Sequence, residues 1–218
     1  MKKNLANLLA IAIALIPSVY LIAIWNRIPE TVALHFNGKF EADKMGDKEQ
    51  LWIPVGVLGL VSLLVYFLMS NISRIDPKQK GFKPSSTFNK LAAGIVIFIS
   101  ALSCLIINSA YTGANVMQKL FYPLLGLLFI FLGNYMNNIR PNYFAGFRLP
   151  WTLSDDDNWR KTHHLAGKLW FGGGILVVLL SLFLSFEFMR PVFIAIVVMM
   201  AIIPAVYSYR LFKAKQAM

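Results

Sequence analysis

The sequence predicts an all-α membrane protein, a bundle of about six transmembrane helices with its amino and carboxyl termini in the cytoplasm. Three observations predict it: 57% of the 218 residues are hydrophobic, only 14% are charged, and the mean hydropathy is +0.61. A soluble domain distributes charged side chains along every segment, because its whole surface meets water. Here charges are confined to stretches between long apolar runs, so the runs are predicted to lie in lipid within a single membrane domain, 1–218.

Six segments are long enough to cross a bilayer. A spanning helix needs roughly 20 apolar residues, since about 1.5 Å of rise per residue has to cover a hydrocarbon core of about 30 Å. The predicted spans are, in chain order, residues 5–25, 51–70, 91–110, 120–136, 165–186 and 191–209. The first run is too long for a secretory signal, and no small-residue cleavage site follows it.

The distribution of Lys and Arg predicts the orientation of the spans, because basic loops are retained on the cytoplasmic side. With the amino terminus inside, six of the 21 Lys and Arg residues fall outside: Arg27, Lys39, Lys44, Lys48, Lys119 and Arg190. The rest fall inside, where residues 71–90 form a basic cytoplasmic loop carrying, among others, Lys80 and Lys83. Topology thus accounts for the net charge of +11, and direct binding of nucleic acid is not expected.

The spans themselves contain mildly polar residues and glycines but no charges near their centres, which argues against a proton-coupled pump. The mildly polar residues are expected to hydrogen-bond to a neighbouring helix; they are Ser62, Ser100, Ser103, Asn108 and Asn134. The glycines are expected to mark close helix packing; they are Gly56, Gly59, Gly126, Gly133 and the run Gly172 to Gly174. The triple glycine also leaves open a hinge in the fifth span.

The predicted extracellular loop, residues 26–50, is rich in turn-forming residues. Residues 31–36 are predicted to form a short strand, followed by the tight-turn pair Asn37-Gly38. His35 as a metal ligand would need partners, and the nearby acids are oxygen donors without the His and Cys clustering that zinc prefers. A hydrogen bond of His35 within a folded loop is the favoured interpretation.

The predicted cytoplasmic loop, residues 137–164, is rich in aromatic residues, and these are expected to seat it in the headgroup zone. They are Tyr143, Phe144, Phe147, Trp151 and Trp159. A hydroxyl cap from Thr152 or Ser154, followed by the acids of residues 155–157, predicts the start of a short interfacial helix that leads into the fifth span.

Enzymatic chemistry is not predicted. Arg148, the three aspartates and the pair His163-His164 could suggest a metal or phosphate site, but adjacent histidines point in different directions on a helix. The sequence contains no nucleophile elbow, no phosphate-binding glycine loop and no zinc-protease motif. We therefore expect no catalytic residues, no cofactor and no metal.

Two segments resemble a known family. The run from Asn142 to Thr152 reads NYFAGFRLPWT, and with the later Trp159, His163 and Gly167 it resembles the signature of the SdpI family of bacterial membrane immunity proteins. Its marker residues are Asn142, Gly146, Phe147, Arg148, Pro150, Trp151, Thr152, Trp159 and His163. The first loop resembles the short domain of unknown function that precedes this signature, through His35, Phe36, Asn37, Gly38, Asp43, Gly46 and Lys48, although Lys39 and Phe40 alter the usual spacing.

The resemblance implies a multi-pass protein of the bacterial plasma membrane that protects its cell from a secreted toxic peptide. The first loop would face the toxin or ligand, and in the best-known member the protein also signals by holding a transcriptional repressor at the membrane. Two alternatives remain open: a transporter of small molecules or peptides built from two inverted three-helix repeats, and a docking site for a soluble partner at the second loop, where exposed Trp and Arg are typical interface anchors.

Overall fold

The computed structural model describes residues 2–38, 41–79 and 86–217. The α-helices are α1 Lys2–Ile24, α2 Trp52–Ser70, α3 Ile72–Ile75, α4 Ser86–Thr112, α5 Ala114–Met136, α6 Pro150–Ser154, α7 Asp156–Phe183 and α8 Phe186–Gln216. Short 3-10 turns occupy Trp25–Arg27, Lys48–Leu51 and Pro77–Gln79, and the strands are β1 Thr31–Phe36 and β2 Ala42–Asp47. Lys39, Phe40, Lys80 and Lys83, which the sequence predictions used, lie outside the described residues.

Within the described chain, six helices are long and apolar enough to cross a membrane. They are Lys3–Arg27, Lys48–Ser70, Ser86–Thr112, Val116–Met136, Asp156–Phe183 and Phe186–Gln216. Each overlaps one predicted span, so the prediction of six helices of spanning length and composition is confirmed, as expected of a multi-pass membrane protein. The helices run beyond the predicted limits because their polar terminal turns keep helical hydrogen bonding after the apolar run has ended.

A two-stranded antiparallel hairpin adds β-structure that the all-α prediction lacks. The predicted strand over residues 31–36 is confirmed as β1, and it pairs with β2 in a register that sets Thr31 opposite Asp47 and Phe36 opposite Ala42. Register shifts interrupt the pairing on either side of His35. β2 reads ADKMGD, a composition with little intrinsic β-propensity, so its conformation depends on pairing with β1.

The chain forms two compact units, which interleave along the sequence. The first contains Met1–Leu68 and Ala92–Leu124, and the second contains Met69–Leu91 and Leu125–Met218. The first unit thus holds most of the first three long helices and the start of the fourth, and the second unit holds the rest of the fourth with the fifth and the sixth.

The core of the first unit joins the hairpin to three helices. Val32 of β1 is 1% exposed and packs in a cluster with residues of α1, α2 and α4. The buried members are Leu21, Ile28, Val32, Leu51, Val55, Ile107 and Ala110. Burying a side chain of the size of valine contributes about 1.5–3 kcal/mol relative to leaving it exposed. This anchor therefore fixes the hairpin to the helix ends.

Polar side chains of α4 bond to α1 in the same unit. The Ser100 hydroxyl donates to the carbonyl of Ile13 at 2.9 Å, and the Asn108 side-chain amide donates to the Tyr20 hydroxyl at 3.1 Å. The predicted helix-to-helix hydrogen bonds are confirmed at these two positions. The prediction is wrong for Ser62, which donates to the carbonyl of Gly59 within its own helix. It is also wrong for Ser103, whose buried hydroxyl has no hydrogen-bond partner among the described residues.

In the second unit, glycines allow α5 and α7 to cross with backbones in contact. A Cβ added at Gly174 would lie 2.6 Å from the carbonyl oxygen of Gly126, and one at Gly133 would lie 2.9 Å from that of Gly167. The predicted close packing is confirmed at these positions. It is wrong for Gly56 and Gly172, because neither would bring a Cβ within 4 Å of another group. α7 continues without a break through the triple glycine.

Candidate functional site

The first-loop residues that resembled a family motif lie on the hairpin. His35 Nδ1 is 2.6 Å from Asp43 Oδ1, and both side chains are substantially exposed. The expected hydrogen bond of His35 within a folded loop is therefore confirmed. This pair links β1 to β2 at the point where the register of the strands is irregular.

Asn37 closes the connection between the two strands. Its backbone N–H donates to the carbonyl of Glu41 at 2.9 Å, and its side-chain amide donates to the Glu41 carboxylate at 2.9 Å. The Asn37 carbonyl oxygen Oδ1 accepts from the backbone N–H of Glu41 at 3.1 Å. Gly38 follows in the turn. The connection is therefore longer than a two-residue Asn-Gly turn, and the side chain of Asn37 supports it.

Gly46 and Lys48 hold the hairpin in place, a structural role that the sequence did not predict. A Cβ at Gly46 would collide with the Leu34 side chain. Lys48 donates from its ammonium group to the Glu30 carboxylate at 2.8 Å and lies over the Trp25 ring at 5.2 Å. The Lys48 side chain is only 12% exposed, so it attaches the hairpin to the end of α1.

A groove of about 780 Å³ opens beside β1 in the first unit. One wall carries Leu34, His35 and Phe36 of β1 together with Lys44 of β2, and the other walls come from α2, α4 and α5. Apolar side chains such as Ile106 form most of the lining, and the polar groups lie on the hairpin side. Such a mixture suits a ligand that is apolar along most of its length.

In the second unit, Asn142 organises the signature loop, by which we mean residues 142–152. Its carbonyl oxygen Oδ1 accepts from the backbone N–H groups of Phe144 and Ala145 at 2.8 and 2.7 Å. Its amide group donates to the carbonyls of Arg140 and Ala145 at 2.8 and 3.0 Å. Asn142 is fully buried, so the side chain replaces the hydrogen bonds that a regular element would supply.

His163 lies beneath the loop and uses both ring nitrogens. Nδ1 is 2.8 Å from the carbonyl of Trp159, and Nε2 is 3.0 Å from the backbone N–H of Phe147. Because a carbonyl only accepts and an N–H only donates, this network assigns a neutral imidazole with its proton on Nδ1. The ring therefore joins α7 to the loop through one hydrogen bond on each side, and we call this its bracket role.

Gly146 allows this approach. Its φ is +104°, a conformation that L side chains rarely adopt, and a Cβ there would fall well inside 3.0 Å of the His163 ring. Trp159, 2% exposed, stacks on the His163 ring with 4.0 Å between the ring centroids, and it donates from Nε1 to the carbonyl of Ile139 at 2.8 Å. The expected headgroup position of Trp159 is wrong, since its ring lies in the core.

Arg148, Pro150 and Thr152 shape the end of the loop. The buried Thr152 hydroxyl accepts from the Leu149 N–H at 2.9 Å and donates to the carbonyl of Phe147 at 2.6 Å. Pro150 is the first residue of α6, a position that suits its fixed φ. Arg148 is exposed and donates to the carbonyl of Tyr143 at 2.6 Å.

The start of α7 differs from the prediction. Asp155 is the N-cap, and its carboxylate accepts from the N–H groups of Asp157 and Asn158. The expected hydroxyl cap is wrong, and the helix that begins here is no separate interfacial helix, since α7 continues from Asp156 through the fifth span. The Lys215 ammonium, 2.6 Å from the Asp155 carboxylate, lowers the pKa of Asp155. The pair therefore loses strength only as pH falls below the ordinary range for Asp.

α8 supports the signature segment from the side. Trp151 donates from Nε1 to the Ser208 hydroxyl at 2.8 Å and packs on the rings of Tyr209 and Phe212. The buried Asn158 donates to the carbonyl of Ser208 at 2.9 Å. Trp151 is thus engaged inside the protein, and the outward-facing side chains of the loop are Tyr143, Phe144 and Arg148.

Asp76 is the site residue that sequence reasoning missed. It is fully buried, and its carboxylate accepts from the Lys78 N–H at 2.8 Å and from the Tyr143 N–H at 2.7 Å. Lys78 in turn donates from its ammonium group to the carbonyl of Leu153. The available signal was that Asp76 is the only acidic residue in the basic stretch 71–90.

We expect Asp76→Ala to loosen the signature loop, because two partly buried N–H groups would lose their acceptor, at up to about 1–3 kcal/mol each. Limited proteolysis of the purified protein should cleave residues 140–149 faster. Asp76→Asn, which keeps one oxygen acceptor, should have an intermediate effect, and the exposed Asp156→Ala should leave the cleavage rate unchanged. Equal rates for Asp76→Ala and Asp156→Ala would contradict this role.

The arrangement is a scaffold whose polar groups satisfy one another. The side chains of this scaffold already hydrogen-bond to nearby backbone groups, so they offer no free nucleophile or base. They are Asn142, Thr152, Trp159 and His163. In the ranges that the structure describes, no group of three His, Cys, Asp or Glu residues could hold a metal ion.

Comparison with known proteins supports the resemblance. Residues 138–208 match the SdpI/YfhL protein family, and residues 12–59 match a domain of unknown function, DUF1648. The chain is 27% identical over 214 residues to the immunity protein SdpI of Bacillus subtilis (strain 168), an alignment that covers 98% of this chain and 97% of that protein. No solved structure gives a significant match. The predicted resemblance, including the preceding short domain, is confirmed.

Proposed function

Because this chain carries an SdpI/YfhL family region at residues 138–208 behind a matching first domain, we propose that it is an SdpI-like membrane immunity protein. It would protect its cell against a secreted, membrane-active toxic peptide. The observation that carries the proposal is the alignment with an immunity protein over 98% of the chain. The location we propose is the bacterial plasma membrane, with both termini inside.

The hairpin groove supports a role in peptide recognition. In the proposed orientation, residues 26–50 face the outside, where a secreted peptide arrives. The groove is apolar in its depth and polar at the hairpin, with Lys44, His35 and Phe36 along one wall. A membrane-active peptide has the same division, since one face is compatible with lipid and the other with water.

The signature loop would then supply the surface on the cytoplasmic side that binds a signalling partner. Its backbone is held by Asn142, His163 and Asp76, and Arg148 with two exposed aromatic side chains, Tyr143 and Phe144, faces outward. Arg and aromatic residues are typical anchors of protein interfaces. We propose that a transcriptional repressor, if one is held at the membrane, binds this surface; Trp151 and Trp159 serve the fold instead.

We expect Phe36→Ala and Lys44→Glu to reduce protection against the peptide, because both alter the wall of the groove. The measurement is survival of a sensitive bacterial host that expresses each variant and is challenged with purified membrane-active peptides. Survival should fall at least about tenfold, corresponding to about 1.4 kcal/mol of lost binding. Met45→Ala is the matched control, since Met45 lies on β2, is 56% exposed and does not line the groove.

Immunoblots of membrane fractions should show equal amounts of every variant. If the wild-type chain gives no protection over an empty vector against any peptide tested, the proposed function is wrong. If protection is present but the groove variants match Met45→Ala, the groove is not the recognition site. The transporter alternative stays a prediction, since the units divide the six long helices nearly as a 3+3 repeat would. Reconstituted vesicles that show no flux would count against it.

A further inference from the structure

A second, basic pocket lies in the other unit, between α7, α8 and the residue that follows α5. Its volume is about 630 Å³, and Arg160, Lys161, His164 and Lys168 of α7 line it opposite Tyr207 of α8. Neither the immunity proposal nor the signature loop uses it.

The pocket has more cationic than anionic charge. Asp157 is the carboxylate beside it, and Asp157 already accepts from Arg160 at 2.9 Å, from Lys161 at 2.8 Å and, at 3.4 Å, from Lys215. His164 lies 3.2 Å from the side-chain oxygen of Asn137. In the described part of the chain, Lys168 has no carboxylate within ion-pair distance. Among the described residues, Lys168 therefore has no counter-ion.

The position of Lys168 makes this shortage significant. Lys168 lies three residues inside the apolar run that begins at Leu165, which is about 4.5 Å along the helix axis. A charged side chain at this depth extends toward the headgroup layer, where phosphate groups lie. The missing anion is thus expected at the level of the lipid phosphates.

The same face of α7 continues as an apolar surface. Lys161, Lys168, Ile175 and Leu182 recur every seven residues, a spacing that drifts by about 20° around the helix at each step. Ile175 and Leu182 are 38% and 67% exposed, and a Cβ at Gly172 would meet nothing within 4 Å. Along this face of α7, the cationic residues are therefore followed by an exposed apolar strip from Gly172 to Leu182.

We propose that this pocket binds the phosphate headgroup of an anionic phospholipid, whose acyl chain lies along the strip from Gly172 to Leu182. Free phosphate shares the headgroup chemistry, but it leaves the apolar strip uncovered. The continuity of charge and apolar surface therefore assigns the site to a lipid. Basic pockets between membrane helices are suited to such headgroups.

The test uses the purified, full-length protein in detergent, titrated with phosphatidylglycerol or with phosphatidylcholine of the same acyl chains. Native mass spectrometry counts the bound lipid. Lys168→Gln should weaken phosphatidylglycerol binding about fivefold, as expected for one Lys near the headgroups, and leave phosphatidylcholine unchanged. Lys168→Arg, which keeps the charge, should restore binding.

Lys213→Gln is the matched control, because it removes the same charge from α8 at a residue that lies over the Tyr209 ring and outside the pocket. It should bind phosphatidylglycerol as the wild type does. Equal losses for Lys168→Gln and Lys213→Gln would show unspecific attraction and overturn the proposal. Glycerol phosphate displacing the lipid at equal concentration would assign the pocket to a soluble phosphate and also overturn it. Survival in the peptide challenge is a separate readout, so the two proposals can fail independently.

Discussion

Replacing Gly146 with alanine is expected to destabilise the signature loop more than any other single methyl group added there. The backbone at Gly146 has a φ of +104°, and an L residue in the left-handed region costs about 1–2 kcal/mol. The new Cβ would also collide with the His163 ring and displace Nε2 from the Phe147 N–H. Leaving the partly buried Phe147 N–H without its acceptor costs up to about 1–3 kcal/mol, so the total is up to about 5 kcal/mol.

The chain offers a matched control for this substitution. Gly113 has a φ of +93° but nothing within 4 Å of an added Cβ, so Gly113→Ala carries the backbone strain without the collision. Thermal unfolding in detergent should show the larger loss for Gly146→Ala. Adding His163→Ala to Gly146→Ala should cost less than the sum of the two single changes. Equal midpoints for Gly146→Ala and Gly113→Ala would refute the bracket role of His163.

Gly133→Ala is expected to separate α5 from α7. The added Cβ would fall inside 3.0 Å of the Phe171 backbone nitrogen and 2.9 Å from the Gly167 carbonyl oxygen. Because these are backbone atoms, the helices must move apart, and overpacking of this kind costs about 1–3 kcal/mol. Gly133→Val should cost more, since two further methyl groups must enter the same crossing.

Gly172→Ala provides the comparison, since a Cβ there meets nothing within 4 Å. It should be neutral or should stabilise α7 by up to about 1 kcal/mol, because alanine has the higher helix propensity. The measurement is the thermal midpoint of the purified protein together with its steady-state amount in the membrane. A Gly133→Ala protein as stable as Gly172→Ala would contradict close packing at this crossing.

Length and hydropathy were enough to predict the six helices, because lipid requires each crossing to satisfy its backbone within one segment. β1 was predicted from its own residues, whereas β2 was not. The reason is that the composition of β2 carries little β-propensity, and its strand form depends on a partner across the turn. The residues of a segment therefore do not predict a strand that forms only by pairing with another segment.

The candidate site shows the same limit. The marker residues of the loop were found through a family resemblance, but their roles come from contacts between distant positions. Gly146 meets His163 across seventeen positions of sequence, and Asp76 accepts from the N–H of Tyr143 at a separation of 67 residues. Trp159 was expected in the headgroups because an aromatic residue beside polar ones is typical of that zone. The i, i+4 spacing predicts that the Trp159 and His163 rings are neighbours on a helix, but it does not show that both rings are buried.

The support that α8 gives to the signature loop affects how the orientation of this protein should be mapped. Reporter fusions made to progressively shortened chains would delete Ser208, Phe212 and Lys215, which contact Trp151 and Asp155. In the remaining fragment, the signature loop would lack its contacts with α8. The measured accessibility of the loop would then not be that of the intact protein. Insertion of a reporter between Asn37 and Glu41, or labelling of single cysteines in the intact chain, avoids this artefact.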